Sequence, residues 1–118
     1  MFGSEPWLIT LGDNVYIASG CQFITHDGGV LILREKYPDL EITQPINVGS
    51  NVYIGFNCTL LPGVNVGNNV IIGANSVVTR NVPENTVIAG VPARVIKTLD
   101  EYLNSCERKI IGFWCARG

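Results

Sequence analysis

Aliphatic residues recur at every sixth position through the middle of the chain, a period that fits neither an amphipathic helix nor a plainly alternating strand. They occupy Val48, Ile54, Leu60, Val66, Ile72 and Val78. Three positions after each of them stand residue types that tolerate positive φ most readily. These third positions are Asn51, Asn57, Gly63, Asn69, Asn75 and Asn81. The pattern therefore predicts one short strand and one tight corner in every six residues.

The residue after each predicted corner is small or β-branched, which predicts a second inward-facing row. This row consists of Val52, Cys58, Val64, Val70, Ser76 and Val82. Three hexads make a triangular coil, and stacked coils bury an apolar column that no single coil could bury alone. The sequence thus predicts an all-β solenoid, a parallel β-helix of hexapeptide repeats, in one domain over residues 1–118.

The same lattice appears upstream in residues 11–22, but its phase is shifted. Leu11 and Val48 are 37 residues apart, six hexads plus one, so an insertion separates two pieces of one array. We expect an excursion loop over about 27–41 inside a β-helix over about 8–97. Thr98 and Glu101 then form the pattern of a capping box, which predicts a short helix over about 98–109.

Composition excludes several classes of protein. Eight basic residues against ten acidic ones cannot make a net-basic face for nucleic acid. No apolar run approaches the roughly 18 residues that span a bilayer. The first seven residues contain no basic residue and no apolar core of a signal peptide, so we expect a cytoplasmic protein without membrane partners. The four widely spaced cysteines predict reduced thiols, with neither a disulfide framework nor a zinc knuckle.

The chain contains one histidine, His26, three positions after Phe23 and therefore at a predicted corner. Imidazole has a pKa near neutral, so this histidine is a natural candidate for a general base. The alternative is a histidine present only because it accepts a strained turn. Asp27 could orient the imidazole or could be a solvated turn residue. No Ser-His-Asp or Cys-His arrangement can be assembled from the rest of the chain.

Residues 54–79, followed by 89–96, closely resemble the hexapeptide-repeat acyltransferases, in particular the sugar O-acetyltransferases related to the galactoside and maltose enzymes. The resemblance covers about residues 8–99. It implies a left-handed parallel β-helix, a homotrimer with each active site between two subunits, and acetyl-CoA as the acetyl donor without a metal. It also implies that His26 is the general base for acyl transfer from the thioester to a hydroxyl, because the histidine of the family stands just ahead of the loop. Because no nucleophilic triad can be assembled, direct transfer without an acyl-enzyme is preferred.

The resemblance implies a set of donor-binding residues as well. Ala74 and Thr79 match positions whose backbone meets the pantetheine or adenine end of coenzyme A. Phe56 matches a further contact whose residue in the family is usually smaller. Arg94 and Lys97 stand where the family has two basic residues, which suit the phosphates of the donor. Arg80 is a third candidate cation, and the alternative for each cation is a solvated surface charge.

Three functions remain open from the sequence. The preferred one is acetylation of a hydroxyl on a sugar or polysaccharide precursor, because residues 25–29 resemble a sequence stretch of O-acetyltransferases from surface-polysaccharide pathways. An amino-sugar N-acetyltransferase and a non-catalytic β-solenoid are the alternatives. A γ-type carbonic anhydrase, which shares the architecture, is excluded because it needs three histidines at each zinc. Relatives usually carry further coils or helices ahead of the segment that begins here, so we expect either a truncated form or an acceptor pocket built from fewer residues.

Overall fold

The structure is a computed structural model that describes residues 1–3 and 5–107. Eleven short strands run through these residues. They are β1 (Ile9–Leu11), β2 (Val15–Ile17), β3 (Gln22–Phe23), β4 (Ile46–Val48), β5 (Val52–Ile54), β6 (Thr59–Leu60), β7 (Asn65–Val66), β8 (Val70–Ile72), β9 (Val77–Val78), β10 (Thr86–Gly90) and β11 (Ala93–Thr98). Short 3-10 helices cover Pro6–Leu8 and Gly28–Leu33, and an α-helix, α1, covers 99–107.

Successive strands pass to three sheets in rotation. One sheet contains β1, β4 and β7, a second contains β2, β5, β8, β10 and β11, and a third contains β3, β6 and β9. From β1 to β9 every third strand therefore returns to the same sheet and pairs in parallel with the strand one coil earlier, whereas β10 joins the second sheet beside β8. Hydrogen-bonded residues in the middle of the array are 18 positions apart. This parallel stacking fits the prediction of three hexads in each coil.

Both predicted inward-facing rows are buried. The six aliphatic residues that begin the hexads are no more than 4% exposed, and the six residues of the second row are no more than 6% exposed. Fifteen buried residues form one apolar cluster between the three sheets. Because each coil buries its apolar positions only against its neighbours, the strands depend on stacking for their stability.

The corners bear out the hexad pattern with one exception. Positive φ angles occur at five of the six predicted corner residues, and also upstream at Asn14 and Gly20. Asn81 is the exception, and Asn85 adopts the positive φ instead. The reason is that the last coil is two residues shorter: Asn65 bonds to Asn81 and Asn69 bonds to Asn85 across 16 positions rather than 18. Counting in sixes therefore assigned Asn81 to the wrong place in its coil.

The insertion between β3 and β4 leaves the stack and returns to the same place. Leu11 pairs with Val48, so the coils before and after the insertion are direct neighbours. The predicted excursion, 27–41, lies inside this segment, and an antiparallel bridge between His26 and Thr43 joins its two ends. Within the excursion Val30 is buried, whereas Ile32 is 86% exposed. The loop therefore packs only partly on the coils and stands beside the corner that carries His26.

The end of the array differs from the prediction. The β-helix was expected to continue to about residue 97, but β11 runs antiparallel to β10 instead of starting another coil. The hexad pattern stops at Val78, and the chain reverses at Gly90, whose φ is +108°. After β11 the expected capping box is present, with the Glu101 N–H donating to Thr98 Oγ1 over 3.1 Å. The predicted end of the helix near residue 109 lies outside the described residues.

Two further predictions concern the cysteines and the membrane. Cys21, Cys58 and Cys106 are free thiols, and Cys115 lies outside the described residues. Among the helices that the structure describes, none combines the length and the apolar character needed to cross a bilayer.

Candidate active site

His26 lies at the corner after β3, and its imidazole is in contact with two side chains. Nε2 is 2.7 Å from Glu5 Oε1, and Nδ1 is 3.3 Å from Thr43 Oγ1. The side chain is 48% exposed, so the ring also faces solvent. His26 is not among the residues with positive φ, so the idea that this histidine only serves a strained turn is wrong.

A cavity of about 180 Å³ opens beside the imidazole. The excursion loop supplies most of its lining, and Arg34 and Glu41 in it lie 3.6 Å apart as an ion pair. The lining residues are His26, Asp27, Gly28, Val30, Leu31, Arg34, Glu41 and Ile42. The loop thus places apolar, cationic and anionic groups next to the ring that could take up a proton. A molecule that enters this cavity would contact His26.

Asp27 does not orient the imidazole. Its Oδ1 accepts a hydrogen bond of 2.9 Å from the Gly29 N–H, which caps the 3-10 helix Gly28–Leu33. Short polar side chains favour such contacts with backbone N–H groups two positions on, so Asp27 has a local structural role. The carboxylate that contacts His26 belongs to Glu5, on the segment before β1.

The predicted donor-binding residues lie on two different edges of the stack. Thr79 follows β9 at the edge where Ile24 follows β3, and this edge also carries His26. Phe56 and Ala74 follow strands of the second sheet, so they lie at another edge, where the Asn75 N–H donates to the Phe56 carbonyl over 2.7 Å. All three side chains are exposed. One chain therefore does not bring Phe56 and Ala74 to the edge that carries His26.

Two of the three candidate cations share a second cavity. Arg80 and Arg94 both line a space of about 190 Å³ at the end of the array, which also contains Asn81, Pro83 and Ile88. Arg94 donates from Nη1 to the Ala93 carbonyl over 3.1 Å. Lys97 pairs with Val87 in the second sheet and does not line this cavity. The structure thus groups Arg94 with Arg80 rather than with Lys97.

The two thiols inside the stack are unsuited to covalent catalysis. Cys58 Sγ donates to the Gly73 carbonyl and Cys21 Sγ donates to the Gly55 carbonyl, both inside the stack. Burial raises the pKa of the Cys58 thiol, which disfavours the thiolate that would be the nucleophile. The described residues contain no group of three or more His, Cys, Asp or Glu side chains that could hold a metal ion.

Sequence reasoning missed Glu5 and Thr43 as neighbours of His26. They are 21 residues before it and 17 residues after it, outside any hexad relation to it. Only the return of the excursion loop brings Thr43 to His26, and only the path of the segment before β1 brings Glu5 there. The sequence does single out Glu5, because it is the one acidic residue among the first 12 side chains, which are otherwise uncharged. That isolation does not indicate which residue the carboxylate contacts.

Comparisons with known proteins agree with this geometry. The family model described as bacterial transferase hexapeptide (six repeats) matches residues 45–80. Protein CapG of Staphylococcus aureus is 54% identical over 93% of this chain and 62% of its own length. Galactoside O-acetyltransferase of Escherichia coli is 38% identical over 82% of this chain and 47% of its own length. The chain thus spans about half to three fifths of the length of these relatives.

A solved structure of galactoside acetyltransferase in complex with coenzyme A is also similar. It superimposes with a TM-score of 0.70 and 42% identity, over 76% of this chain and 44% of that protein. The residues that the family model matches, 45–80, lie within the array of coils. The repeat that the model describes corresponds to the parallel strands, the buried rows and the asparagine corners of these coils. The chain belongs to the hexapeptide-repeat transferase family.

Proposed function

We propose that this chain acts as an acetyltransferase, which moves the acetyl group of acetyl-CoA to a hydroxyl of a sugar or polysaccharide precursor. The observation that carries the proposal is that the family's base position, His26, opens onto a cavity lined by the excursion loop. The names of the relatives support the acetyl transfer, and the solved relative with bound coenzyme A supports the donor. The chain covers 62% and 47% of the length of two of these relatives, so the activity is a proposal for this chain.

The proposed chemistry is direct transfer with His26 as general base. As the acceptor oxygen attacks the thioester carbonyl carbon, His26 takes the hydroxyl proton. The carbon–sulfur bond then breaks, the acetyl group stays on the acceptor oxygen, and the sulfur leaves with the proton returned by the imidazolium. General-base catalysis of this kind typically contributes about 10²- to 10⁴-fold to the rate.

We propose that the donor binds between two copies of the chain in a homotrimer. Thr79 lies on the His26 edge, whereas Phe56 and Ala74 lie on another edge, so a neighbouring copy is needed to bring both groups to one donor molecule. Arg94 and Arg80 would bind the phosphates at the end of the array, and Lys97 would act as a more distant cation. The left-handed winding of the coils and the cytoplasmic location are part of the same proposal.

A thiol-release assay with acetyl-CoA tests the function. Acceptors would include neutral sugars, amino sugars and amino acids, and His26→Ala would be measured beside the wild type. We expect release with a sugar hydroxyl and a loss of about 10²- to 10⁴-fold in kcat in the variant. Undiminished activity of His26→Ala would remove His26 from the mechanism.

The same assay separates the alternatives. Amide formation with an amino sugar would identify an N-acetyltransferase, and no release with any acceptor would favour a non-catalytic β-solenoid. Gel filtration against the 12.8 kDa monomer tests the trimer independently of activity.

A further inference from the structure

We propose that Glu5 is a positioning residue for His26, which holds the Nε2–H of the imidazole and leaves Nδ1 as the nitrogen that accepts the proton. This inference rests on the proposed function, because it assigns how the base of that reaction is held. Glu5 belongs to the segment before β1, and neither the repeat pattern nor the family match, which begins at residue 45, includes it.

The distance between the two side chains identifies the donor. Nε2 and Glu5 Oε1 are 2.7 Å apart, the length of a charge-assisted hydrogen bond. An ionised carboxylate can only accept, whereas a neutral imidazole has one N–H donor and one lone-pair nitrogen. Nε2 must therefore carry the hydrogen, and the lone pair of the neutral ring lies on Nδ1.

The surroundings of Nδ1 suit a nitrogen that accepts a proton. Thr43 Oγ1 lies 3.3 Å from it, and the bridge between the backbones of Thr43 and His26 fixes this position. A hydroxyl can donate to a lone pair, so this contact agrees with an unprotonated Nδ1. The distance is longer than the usual range for a strong hydroxyl hydrogen bond. An acceptor hydroxyl can therefore replace Thr43 at Nδ1 with little loss.

The Glu5 backbone carbonyl accepts from the Leu8 N–H over 3.0 Å, but within the described residues its side chain makes no hydrogen bond other than the contact with His26. Glu5 stands at the N-terminus of the 3-10 helix Pro6–Leu8, yet its side chain does not cap that helix. Its second oxygen, Oε2, is buried and has no hydrogen-bond partner within the described residues. Leaving a buried carboxylate oxygen unpaired costs free energy. The contact with His26 is therefore poorly explained by fold stability and is better explained by what it does to the imidazole.

The carboxylate would act at two points of the reaction. Before transfer it holds the ring in one orientation and one tautomer, so the Nδ1 lone pair is directed to the acceptor. During transfer the acceptor proton moves to Nδ1 while Nε2 keeps its hydrogen, and the resulting imidazolium lies against the negative charge of Glu5. An acid that orients and stabilises a catalytic imidazole in this way is a known catalytic arrangement.

Two substitutions of Glu5 and one matched control test the role. Glu5→Ala removes the acceptor, Glu5→Gln keeps an oxygen of the same reach without its charge, and Glu84→Gln removes an exposed carboxylate at another corner. We expect Glu5→Ala to lower kcat about 10- to 100-fold, part of what a general base typically contributes, with an unchanged KM for acetyl-CoA. Glu5→Gln should retain more activity than Glu5→Ala, and Glu84→Gln should match the wild type.

Nitrogen-15 NMR tests the contact without any substrate, because His26 is the one histidine in the chain. We expect the neutral ring to carry its hydrogen on Nε2, with an N–H proton protected from exchange in the wild type and unprotected in Glu5→Ala. A neutral ring protonated on Nδ1, or equal protection in the two proteins, would overturn the proposal. The melting temperature of each variant shows whether it is folded.

The outcomes for this proposal and for the proposed function are distinct. A wild-type protein that releases no thiol with any acceptor would end the proposed function and this role with it. A wild-type protein that is active, together with a folded Glu5→Ala variant of equal kcat, would overturn only the role of Glu5. A rise in KM for acetyl-CoA at constant kcat would also overturn it, because it would place Glu5 in donor binding.

Discussion

Substitution of Asn69 tests how the corners keep the coils in register. Its side chain links three coils: Asn51 Nδ2 donates to Asn69 Oδ1 over 3.2 Å, and Asn69 Nδ2 donates to Asn85 Oδ1 over 3.1 Å. Its φ is +57°, a conformation in which most L-residues are strained. Asn69→Ala removes both hydrogen bonds and leaves a β-carbon in the left-handed region. We therefore expect the free energy of unfolding to fall.

The expected loss is about 2–3 kcal/mol. Each hydrogen bond contributes about 0.5 kcal/mol, the low end of the usual net range, since the bonds are exposed. The left-handed conformation costs an alanine about 1–2 kcal/mol more. Glycine adopts positive φ freely, so Asn69→Gly should lose the same hydrogen bonds but be more stable than Asn69→Ala by about 1 kcal/mol.

Asn81 is the matched control. It also bonds to the coil before it, with its Oδ1 accepting from the Asn65 N–H over 2.9 Å, but its φ is not positive. Because the φ of residue 81 is not positive, glycine relieves no backbone strain at this position, and it adds backbone entropy to the unfolded chain. Asn81→Gly should therefore be less stable than Asn81→Ala. The order of the two substitutions thus reverses between the two positions.

Urea unfolding followed by circular dichroism, at one fixed protein concentration, measures these differences. The comparison requires the same m-value in all variants, because a changed m-value would indicate a changed unfolded or native state. The same order of glycine and alanine at both positions would refute the reasoning. So would an Asn69→Ala variant as stable as Asn69→Gly, since the left-handed corner would then carry no cost.

Two further substitutions test the donor site and the spacing of the coils. Arg94→Ala should raise KM for acetyl-CoA about 10-fold or more without lowering kcat, as expected for the loss of a hydrogen bond to a charged group. Acetyl-pantetheine lacks the nucleotide phosphates, so an equal rise in its KM would contradict a contact between Arg94 and a phosphate. Gly67→Ala should lower the melting temperature, because its β-carbon would lie 2.8 Å from the Glu84 backbone nitrogen, whereas Gly28→Ala, with nothing within 4 Å, should not. Equal melting temperatures for these two variants would show that the coils can separate at no cost.

The repeat made most of the fold predictable, because it is a local pattern. Each hexad specifies its own strand and corner, and the same contacts recur at 18 positions, so the two buried rows could be read directly from the sequence. Asn81 was misplaced because counting in sixes cannot detect a coil that has lost two residues. The antiparallel β11 was missed because the pattern ends at Val78, and the reversal at Gly90 depends on pairing with β10.

The candidate site was predictable only in part. His26 was identified because the chain has one histidine and because its place resembles that of the family base. Asp27 was considered for the role of its partner because it is adjacent in sequence, but adjacent residues at a corner point in different directions, and Asp27 caps the next helix. Arg94 and Lys97 were treated as a pair, whereas the structure places Arg80 beside Arg94 in one cavity.

The sequence by itself determined the coil, its buried column and its positive-φ corners, since each follows from residue types at a fixed short spacing. It also determined that any imidazole chemistry must use His26. The tertiary structure alone decided what meets that imidazole, namely Glu5 from the first segment and Thr43 from the returning loop. The physical reason is that these contacts depend on the paths of two irregular segments, and such paths are set by packing against the whole stack rather than by a repeated local preference.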